Sequence, residues 1–357
     1  MRILGTRPAL GLAALALLAA AAGDPGVATA SPSRDSGLPE PVLVRAGVTA
    51  EAVSDNGRYV ATDGADGVRL WDRTTGRSVR VRDSHGSTGV TFGAMTGNGG
   101  RILLLQNGRY ESQYHLALWD RRTGRTTVIS KSLQIALDPD ISPDGRFVTY
   151  SRTVTAEGVP PRRSAVLWDR RTGKVTVLAS GDSFGYTTSV SRRGDLVVVT
   201  ALGTGEAFAY QRATGKRTAL TTQTHGLSVA SADGAFALVT SDERLSGADT
   251  DNSSDVYLWD RATGAFALIS GGLTGPCYGT GVSAGREVAT LYTNAYRTGG
   301  TLRVWQAATE STSIVSTQAV SPNAVGSADA VSGSGQYVAY TEGQFGAAGA
   351  LVLGPIS

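Results

Sequence analysis

The sequence predicts an all-β fold, a seven-bladed β-propeller whose blades each contain four antiparallel strands. The first observation is a downstream phrase, Leu-Trp-Asp-Arg-x-Thr-Gly, with copies that begin at Leu70, Leu118, Leu167 and Leu258 and altered copies from Ala209 and Val304. The second is an upstream phrase of the form Ser-x-x-Gly-Arg-aromatic-Val, with glycines at Gly57, Gly100, Gly145, Gly194, Gly234, Gly285 and Gly335. Successive repeats lie about 40–50 residues apart, which is typical of propeller blades.

Each repeat supplies the four strands in order. An inner strand precedes the upstream phrase, and a β-branched and aromatic run such as residues 146–151 follows it as the second strand. The third strand ends in Leu-Trp-Asp, and the Arg-x-Thr-Gly hairpin leads to the outer strand. No sustained helical period follows the N-terminal segment, which excludes alternating strands and helices.

The two ends of the chain predict how the ring closes. The last repeat stops after a third strand at residues 350–354, whereas residues 41–46 resemble an outer strand without a blade of its own. We expect these two segments to pair, because closure removes exposed sheet edges.

The N-terminus predicts export. Arg2 and Arg7 precede an apolar run at residues 9–22, and residues 28–30 (Ala-Thr-Ala) offer a cleavage site before Ser31. The apolar run is shorter than the ~20 residues that span a bilayer. We therefore expect a signal peptide at 1–30, a linker at 31–40 and the propeller at 41–357, in a secreted or extracytoplasmic protein without a membrane span after cleavage.

Charge and cysteine content narrow the partners. The formal net charge is +3, and two of the arginines belong to the signal peptide, so the mature chain is close to neutral. This balance does not favour nucleic acid or an anionic membrane. Cys277 is the single cysteine, so stability must come from packing rather than from an internal disulfide. We separately expect the protein to be a monomer.

The phrases SPDGRFV (142–148) and LWDRRTG (167–173) resemble the WD40-like repeats of TolB-like propellers, and residues 241–270 are the nearest single copy. The resemblance covers roughly residues 41–357. It implies an exported binding or scaffolding module, or a propeller attached to a catalytic domain. It is specific for the fold and weak for function, since propellers carry many unrelated activities.

The repeated Trp-Asp pairs are interpreted as packing and turn-capping residues, because they recur at one position in each blade. The arginines beside them are interpreted as a solvated rim. The best metal candidate is a weak calcium site formed by Asp249, Asp251 and Asp255, whose alternating oxygen ligands suit that ion. Ser254 replaces the turn glycine of the EF-hand, so a polar surface loop is the preferred interpretation and no cofactor is predicted.

Two functions remain open. A propeller enzyme of lyase or lactonase type would use His85 and His225, which lie in equivalent connections near one mouth of the central channel. No paired-histidine metal motif or Gly-x-Ser-x-Gly elbow supports catalysis. The favoured function is a non-catalytic module that binds a protein or a cell-envelope glycan through its variable loops. Its predicted binding residues are Tyr110, Tyr114, Arg162, Arg163, Asp242, Glu243, Tyr292, Tyr296 and Arg297.

Overall fold

The computed structural model describes residues 35, 37–83, 89–107, 114–133, 139–156, 159–181, 184–224, 226–293, 300–320, 331–343 and 349–356. All of them belong to one compact unit, residues 32–357. Their regular elements are β-strands, apart from one 3₁₀ turn at Ala284–Arg286. Within these residues no helix has the length and apolar character needed to cross a membrane.

Five four-stranded antiparallel sheets follow one another along the chain. Sheet 1 contains β2 (Val48–Val53), β3 (Tyr59–Gly64), β4 (Arg69–Asp72) and β5 (Arg77–Arg80). Sheet 2 contains β6 (Val90–Met95), β7 (Arg101–Asn107), β8 (Tyr114–Asp120) and β9 (Arg125–Leu133). Sheet 3 contains β10 (Asp140–Ile141), β11 (Phe147–Ala156), β12 (Val159–Asp169) and β13 (Val175–Ser180). Sheet 4 contains β14 (Tyr186–Val190), β15 (Leu196–Ala201), β16 (Ala207–Gln211) and β17 (Lys216–Thr221). Sheet 5 contains β18 (Val229–Ala230), β19 (Phe236–Ser241), β20 (Asp255–Asp260) and β21 (Phe266–Leu268).

The remaining strands form one seven-stranded sheet, which corrects the predicted architecture. It contains β22 (Cys277–Val282), β23 (Val288–Thr293), β24 (Gly300–Gln306), β25 (Ser311–Val320), β26 (Val338–Glu342), β27 (Gly349–Leu353) and β1 (Val42–Ala46). The prediction of seven separate four-stranded blades is wrong. The strand β25 is ten residues long, and its last two residues pair with Glu342 and Thr341 of β26, so the sixth and seventh repeats are continuous.

The N-terminal strand lies at the edge of this sheet. β1 pairs with β27 from Val42↔Val352 to Ala46↔Gly349. The segments expected to meet do so, but they do not complete a separate seventh blade. The preceding residues also lie against the domain, since the Asp35 N–H donates to the Ile314 carbonyl at 3.1 Å and Leu38 packs on an apolar cluster.

The core lies between the sheets rather than within them. Leu70 of sheet 1 packs with Ile102 and Trp119 of sheet 2, and similar buried clusters join each later pair of neighbours. A last cluster joins Val60 of sheet 1 to Val352 of β27. This cyclic packing places the innermost strands, from β2 to β22, around a central channel, as in a propeller.

The strand directions give the channel two unlike ends. Each inner strand runs toward its Ser-x-x-Gly turn, and the third strand ends beside that turn at its Asp-Arg-x-Thr-Gly hairpin; we call this the turn end. The opposite end, called the rim end, carries the connections between second and third strands and those leading to the next sheet. In sheet 2 the turn glycine is Gly99 rather than the expected Gly100, since Gly99 has φ 62° and donates to the Thr96 carbonyl at 2.8 Å.

Candidate functional site

The repeated charged residues at the turn end are occupied by contacts within the protein. The Arg58 guanidinium donates to Asp72 at 2.8 and 3.0 Å, and Arg146 binds Asp169 in the same way. The Asp72 carboxylate also accepts the N–H and hydroxyl of Thr74 in its hairpin. The hydrogen bond from Arg58 holds the pKa of Asp72 well below its ordinary value.

The arginine of each downstream phrase joins two neighbouring repeats. Arg212 donates to the Gly194 carbonyl at 2.9 Å, and its guanidinium lies 4.8 Å from the centre of the Phe147 ring in the preceding sheet. Arg121 stacks on Tyr59, and Arg73 on Tyr337, with the same relation between repeats. These arginines therefore connect neighbouring sheets of the ring. They were expected to form a solvated rim, but they also stack on aromatic side chains of the adjacent repeat.

The rim-end residues predicted from the sequence divide into three groups. His85, Tyr110, His225, Tyr296 and Arg297 lie outside the described residues, and of Tyr114 only its place at the start of β8 is described. Arg162, Arg163, Asp242 and Glu243 have described positions at the rim end. Tyr292 is also described, but it lies inside β23 and is 1 % exposed, so its side chain belongs to the core and not to the predicted binding surface.

The loop that carries Asp242 and Glu243 is fixed by its own contacts. The Glu243 carboxylate accepts hydrogen bonds from Thr221, at 3.0 Å, and from Thr222, which tie the loop to β17 of the neighbouring sheet. Ser254 donates to the Asp242 carboxylate. Both acids thus have positioning contacts, and their predicted role in ligand binding stays a prediction.

The carboxylates of Asp249, Asp251 and Asp255 lie together in the same loop, with one oxygen of each within 4.8 Å of the others. Asp249 and Asp255 are buried, whereas Asp251 is exposed. Burial, together with the charges of Asp249 and Asp251, raises the pKa of Asp255. Three oxygens are fewer than the six to eight that calcium takes, and calcium binding stays a prediction, testable by thermal unfolding with and without the ion.

A mixed apolar and cationic surface lies at the rim end of sheets 3 and 4. Residues 153–156 and 159–164, which belong to a segment expected as a loop, instead extend β11 and β12, and their pairs include Thr153↔Arg163 and Val154↔Arg162. The Arg163 guanidinium donates to the carbonyl of Phe184, whose side chain is 65 % exposed. The Leu202 side chain is 40 % exposed, and the Leu202 N–H donates to the carbonyl of Gly185, which follows Phe184 in the chain. We call Arg162, Arg163, Phe184 and Leu202 the rim patch.

Neither Phe184 nor Leu202 was singled out from the sequence. A lone aromatic residue in a connection between strands gives no sign of whether it packs inward or outward. The arginines were found because they lie in a long variable connection. Within the described part of the chain, neither arginine of the rim patch forms an ion pair with a carboxylate.

The turn end of the channel offers little room for a ligand. A cavity of about 50 Å³ there is lined by residues of the innermost strands and their turns, both apolar, such as Val53 and Met95, and polar, such as Asp55 and Asp140. Such a volume holds a few water molecules, whereas organic ligands occupy several hundred Å³. This cavity is therefore too small for an organic substrate.

Comparisons with known proteins identify the fold. No family model matches the sequence, and no curated protein matches it. Among solved structures, an oligogalacturonate lyase in complex with manganese is 11 % identical, with 91 % of this chain and 95 % of that chain covered and a TM-score of 0.63. The oligogalacturonate lyase of Vibrio parahaemolyticus is also 11 % identical, covering 86 % and 91 % of the two chains at a TM-score of 0.62. The β-propeller domain of the Trilobed protease from Pyrococcus furiosus is 12 % identical, covering 87 % and 94 % at a TM-score of 0.58.

TolB from Acinetobacter baumannii also matches, with 18 % identity and a TM-score of 0.48, over 79 % of this chain and 66 % of that chain. That similarity is too low to support an argument by itself. At these identities the matches show the fold alone: the protein is a β-propeller similar to WD40-like propeller proteins.

Proposed function

We propose that the protein is an exported, non-catalytic binding module that recognises a protein or a cell-envelope glycan at its rim end. The observation that carries this proposal is the rim patch, where Phe184 is 65 % exposed, its carbonyl accepts from Arg163, and Arg162 is exposed on the same strand as Arg163. Aromatic and arginine side chains are the types that most often dominate binding energy at interfaces. An exposed apolar group of this size has no role in the core.

The distribution of contacts supports the same end of the molecule. The repeated arginines of the turn end contact aromatic rings of neighbouring repeats, and the cavity there is too small for an organic ligand. Variable connections on a rigid scaffold are where specificity normally resides. The rim end therefore combines variable sequence with exposed side chains suited to recognition.

The test compares one triple variant and one double control variant with the native protein. In the first, Arg162→Ala, Arg163→Ala and Phe184→Ala remove the two cationic side chains and the aromatic side chain of the rim patch. In the control, Arg122→Ala and Arg171→Ala remove two exposed arginines from turn-end hairpins. Binding is measured by co-sedimentation with the cell-envelope fraction of the source cells and by capture of proteins from their culture medium.

We expect the rim-patch variant to lose at least tenfold in binding while the control binds as the native protein does. Equal binding by all three proteins contradicts the proposal. N-terminal sequencing of the protein recovered from the medium tests export, with a start at Ser31 expected. Circular dichroism and melting of each variant show that the fold is retained.

A lyase or lactonase with His85 and His225 at the rim-end channel mouth is the alternative. Its test is the double variant His85→Ala and His225→Ala. Unchanged biological activity in that variant counts against catalysis, whereas loss of activity with binding retained counts against a purely binding module.

A further inference from the structure

The second residues of the Ser-x-x-Gly turns surround the channel at the turn end. Five of these seven positions are small or uncharged: Gly97, Pro143, Ala232, Ala284 and Gly333. The other two are Asp55 of sheet 1 and Arg192 of sheet 4. Their side chains meet, since Arg192 Nη2 donates to Asp55 Oδ2 at 2.7 Å. An ion pair between sheets that are not neighbours must cross the channel axis.

The two adjacent turns direct Asp55 toward the axis. A Cβ atom added to Gly97 would lie 2.2 Å from Asp55 Oδ2, and one added to Gly333 would lie 2.2 Å from Asp55 Oδ1. The carboxylate therefore occupies the space that the missing side chains of both neighbours leave. Any side chain at either position would displace it, so glycine at 97 and 333 is part of the arrangement.

Backbone hydrogen bonds link these turns from one sheet to the next. Ser334 N–H donates to the Asp55 carbonyl at 3.2 Å, Asp55 N–H to the Gly97 carbonyl at 2.6 Å, and Gly97 N–H to the Pro143 carbonyl at 3.1 Å. Arg192 N–H donates to the Ala232 carbonyl at 2.7 Å, and Ala284 N–H to the Gly333 carbonyl at 3.1 Å.

The series is interrupted at Pro143, because proline has no N–H to donate to the following turn. Among the described residues, no backbone hydrogen bond joins the turns of sheets 3 and 4. The turns of sheet 5 and the seven-stranded sheet are joined instead by a side chain, since Gly285 N–H donates to Asp233 Oδ2 at 2.7 Å. Between sheets 3 and 4 the nearest side-chain link lies before the turns, where Val190 N–H donates to Asp140 Oδ2 at 2.7 Å. The two turns themselves are not joined by a hydrogen bond among the described residues, and Arg192 lies on the far side of this break.

We propose that Asp55 and Arg192 form a clasp that closes the ring across the break at Pro143 and blocks the turn end of the channel. The pair binds the first turn after the break to the turn of sheet 1, which the unbroken series connects back to Pro143. Both sides of the break are thereby fixed to one another through the axis. The channel then opens only toward the rim end.

The test is amide hydrogen exchange on the full chain, with three single variants and one double variant. Asp55→Asn breaks the ion pair while keeping side-chain size, Arg192→Gln breaks it by removing the charge from a shorter polar side chain, and the double variant removes both charges. Arg193→Gln is the matched control, since this neighbouring arginine is exposed and its side chain forms no ion pair in the described residues. Peptides covering 139–147 and 186–196 report on the break, and peptides covering 94–100 and 228–236 report on intact parts of the series.

A partly exposed ion pair supports a change of about two- to fivefold in exchange rate. We expect that increase at the break in both single variants, no further increase in the double variant, and none in Arg193→Gln. The increase disappears in 1 M NaCl, which screens the pair in the native protein as well. Additive effects in the double variant, an increase spread over all peptides, or no increase at the break overturns the clasp. None of these outcomes depends on ligand binding at the rim patch, so the clasp and the proposed function fail separately.

Discussion

At the residue scale, the glycine of the Ser-x-x-Gly turn satisfies two conditions together. Gly194 has φ 61°, a left-handed conformation that side chains disfavour. A Cβ atom there would also lie 2.5 Å from the Phe147 ring of the preceding sheet. The Arg212 guanidinium also stacks on the Phe147 ring, 4.8 Å from its centre. The glycine is thus needed for the approach of two repeats as well as for the turn.

We therefore expect Gly194→Ala to destabilise the protein more than an equivalent change without the close approach. Gly124→Ala is the control, because Gly124 has φ 65° and no atom within 4 Å of an added Cβ. The control should lose about 1–2 kcal/mol of unfolding free energy from the backbone alone. Gly194→Ala should lose about 2–4 kcal/mol, since overpacking adds to that. Chemical denaturation measures both, and equal losses would contradict the close-packing argument.

Glu310 shows the opposite case, in which an altered copy of the downstream phrase lacks its hairpin glycine. It occupies the position of the hairpin glycine in the altered copy from Val304 and has φ 48°. Glu310→Gly should therefore raise the unfolding free energy by about 0.5–1 kcal/mol by relieving the backbone. Glu310→Ala removes the same charge without relieving φ and should leave stability nearly unchanged. A gain in both variants would point to charge rather than to backbone strain.

At the scale of elements, side chains of one sheet complete the hydrogen bonding of the next. The inner strands β2, β6 and β22 each have a bulge, and the residue before it has an N–H free of the ladder. Ala50 N–H donates to Thr341 Oγ1 at 2.9 Å, and Gly279 N–H donates to Thr240 Oγ1 at 3.0 Å. Phe92 N–H donates to the Asp63 carboxylate at 3.0 Å. Polar residues at the ends of second strands therefore join neighbouring sheets.

Replacing such a hydroxyl should leave a buried N–H without an acceptor. We expect Thr240→Val to lower the unfolding free energy by about 1–3 kcal/mol, the usual consequence of an unsatisfied buried group. Thr240→Ser keeps the oxygen and should lose less than half as much. Urea denaturation of both variants checks the order, and similar losses would show that the methyl group matters more than the hydroxyl.

These elements also show how far the sequence leads. Strand positions and turns were predictable, because the phrases recur and β-branched runs alternate with Gly-containing turns. The fused seven-stranded sheet was not, because it depends on two extra paired residues at the end of β25. Tyr292 and residues 153–164 were misplaced for a related reason, since nothing in a single sequence marks where a strand continues into a variable segment. Only part of the rim patch was predicted: its arginines lie in a long variable connection, whereas the exposure of Phe184 depends on packing.

At the scale of the whole molecule, the ring of sheets encloses acidic groups near the channel. Glu51 lies on the innermost strand β2 and is 8 % exposed, and Thr49 donates a hydrogen bond to its carboxylate. Burial raises the pKa of Glu51 from 4.5 to about 7, with a smaller contribution from the charge of Asp63. Burial likewise raises the pKa of Asp140 to about 6, although Val190 and Ile141 donate to it. Closing the ring thus disfavours the charged form of both groups.

The stability of the native protein should therefore fall as the pH rises from about 4.5 to about 7. A carboxyl group whose pKa is higher in the folded state binds its proton more tightly there. Its contribution to stability is fully present below its unfolded-state pKa and is lost as the pH rises through its folded-state pKa. For Glu51 the loss amounts to at most about 3 kcal/mol between these limits. Glu51→Gln, which stays neutral, should remove that part of the dependence and be more stable than the native protein at pH 8, whereas Glu206→Gln at an exposed position should leave the profile unchanged. Denaturation at pH 5 and pH 8 tests this prediction. If the unfolding free energy of Glu51→Gln changes between these pH values as much as that of the native protein, the Glu51 carboxylate of the native protein is as well solvated as in water.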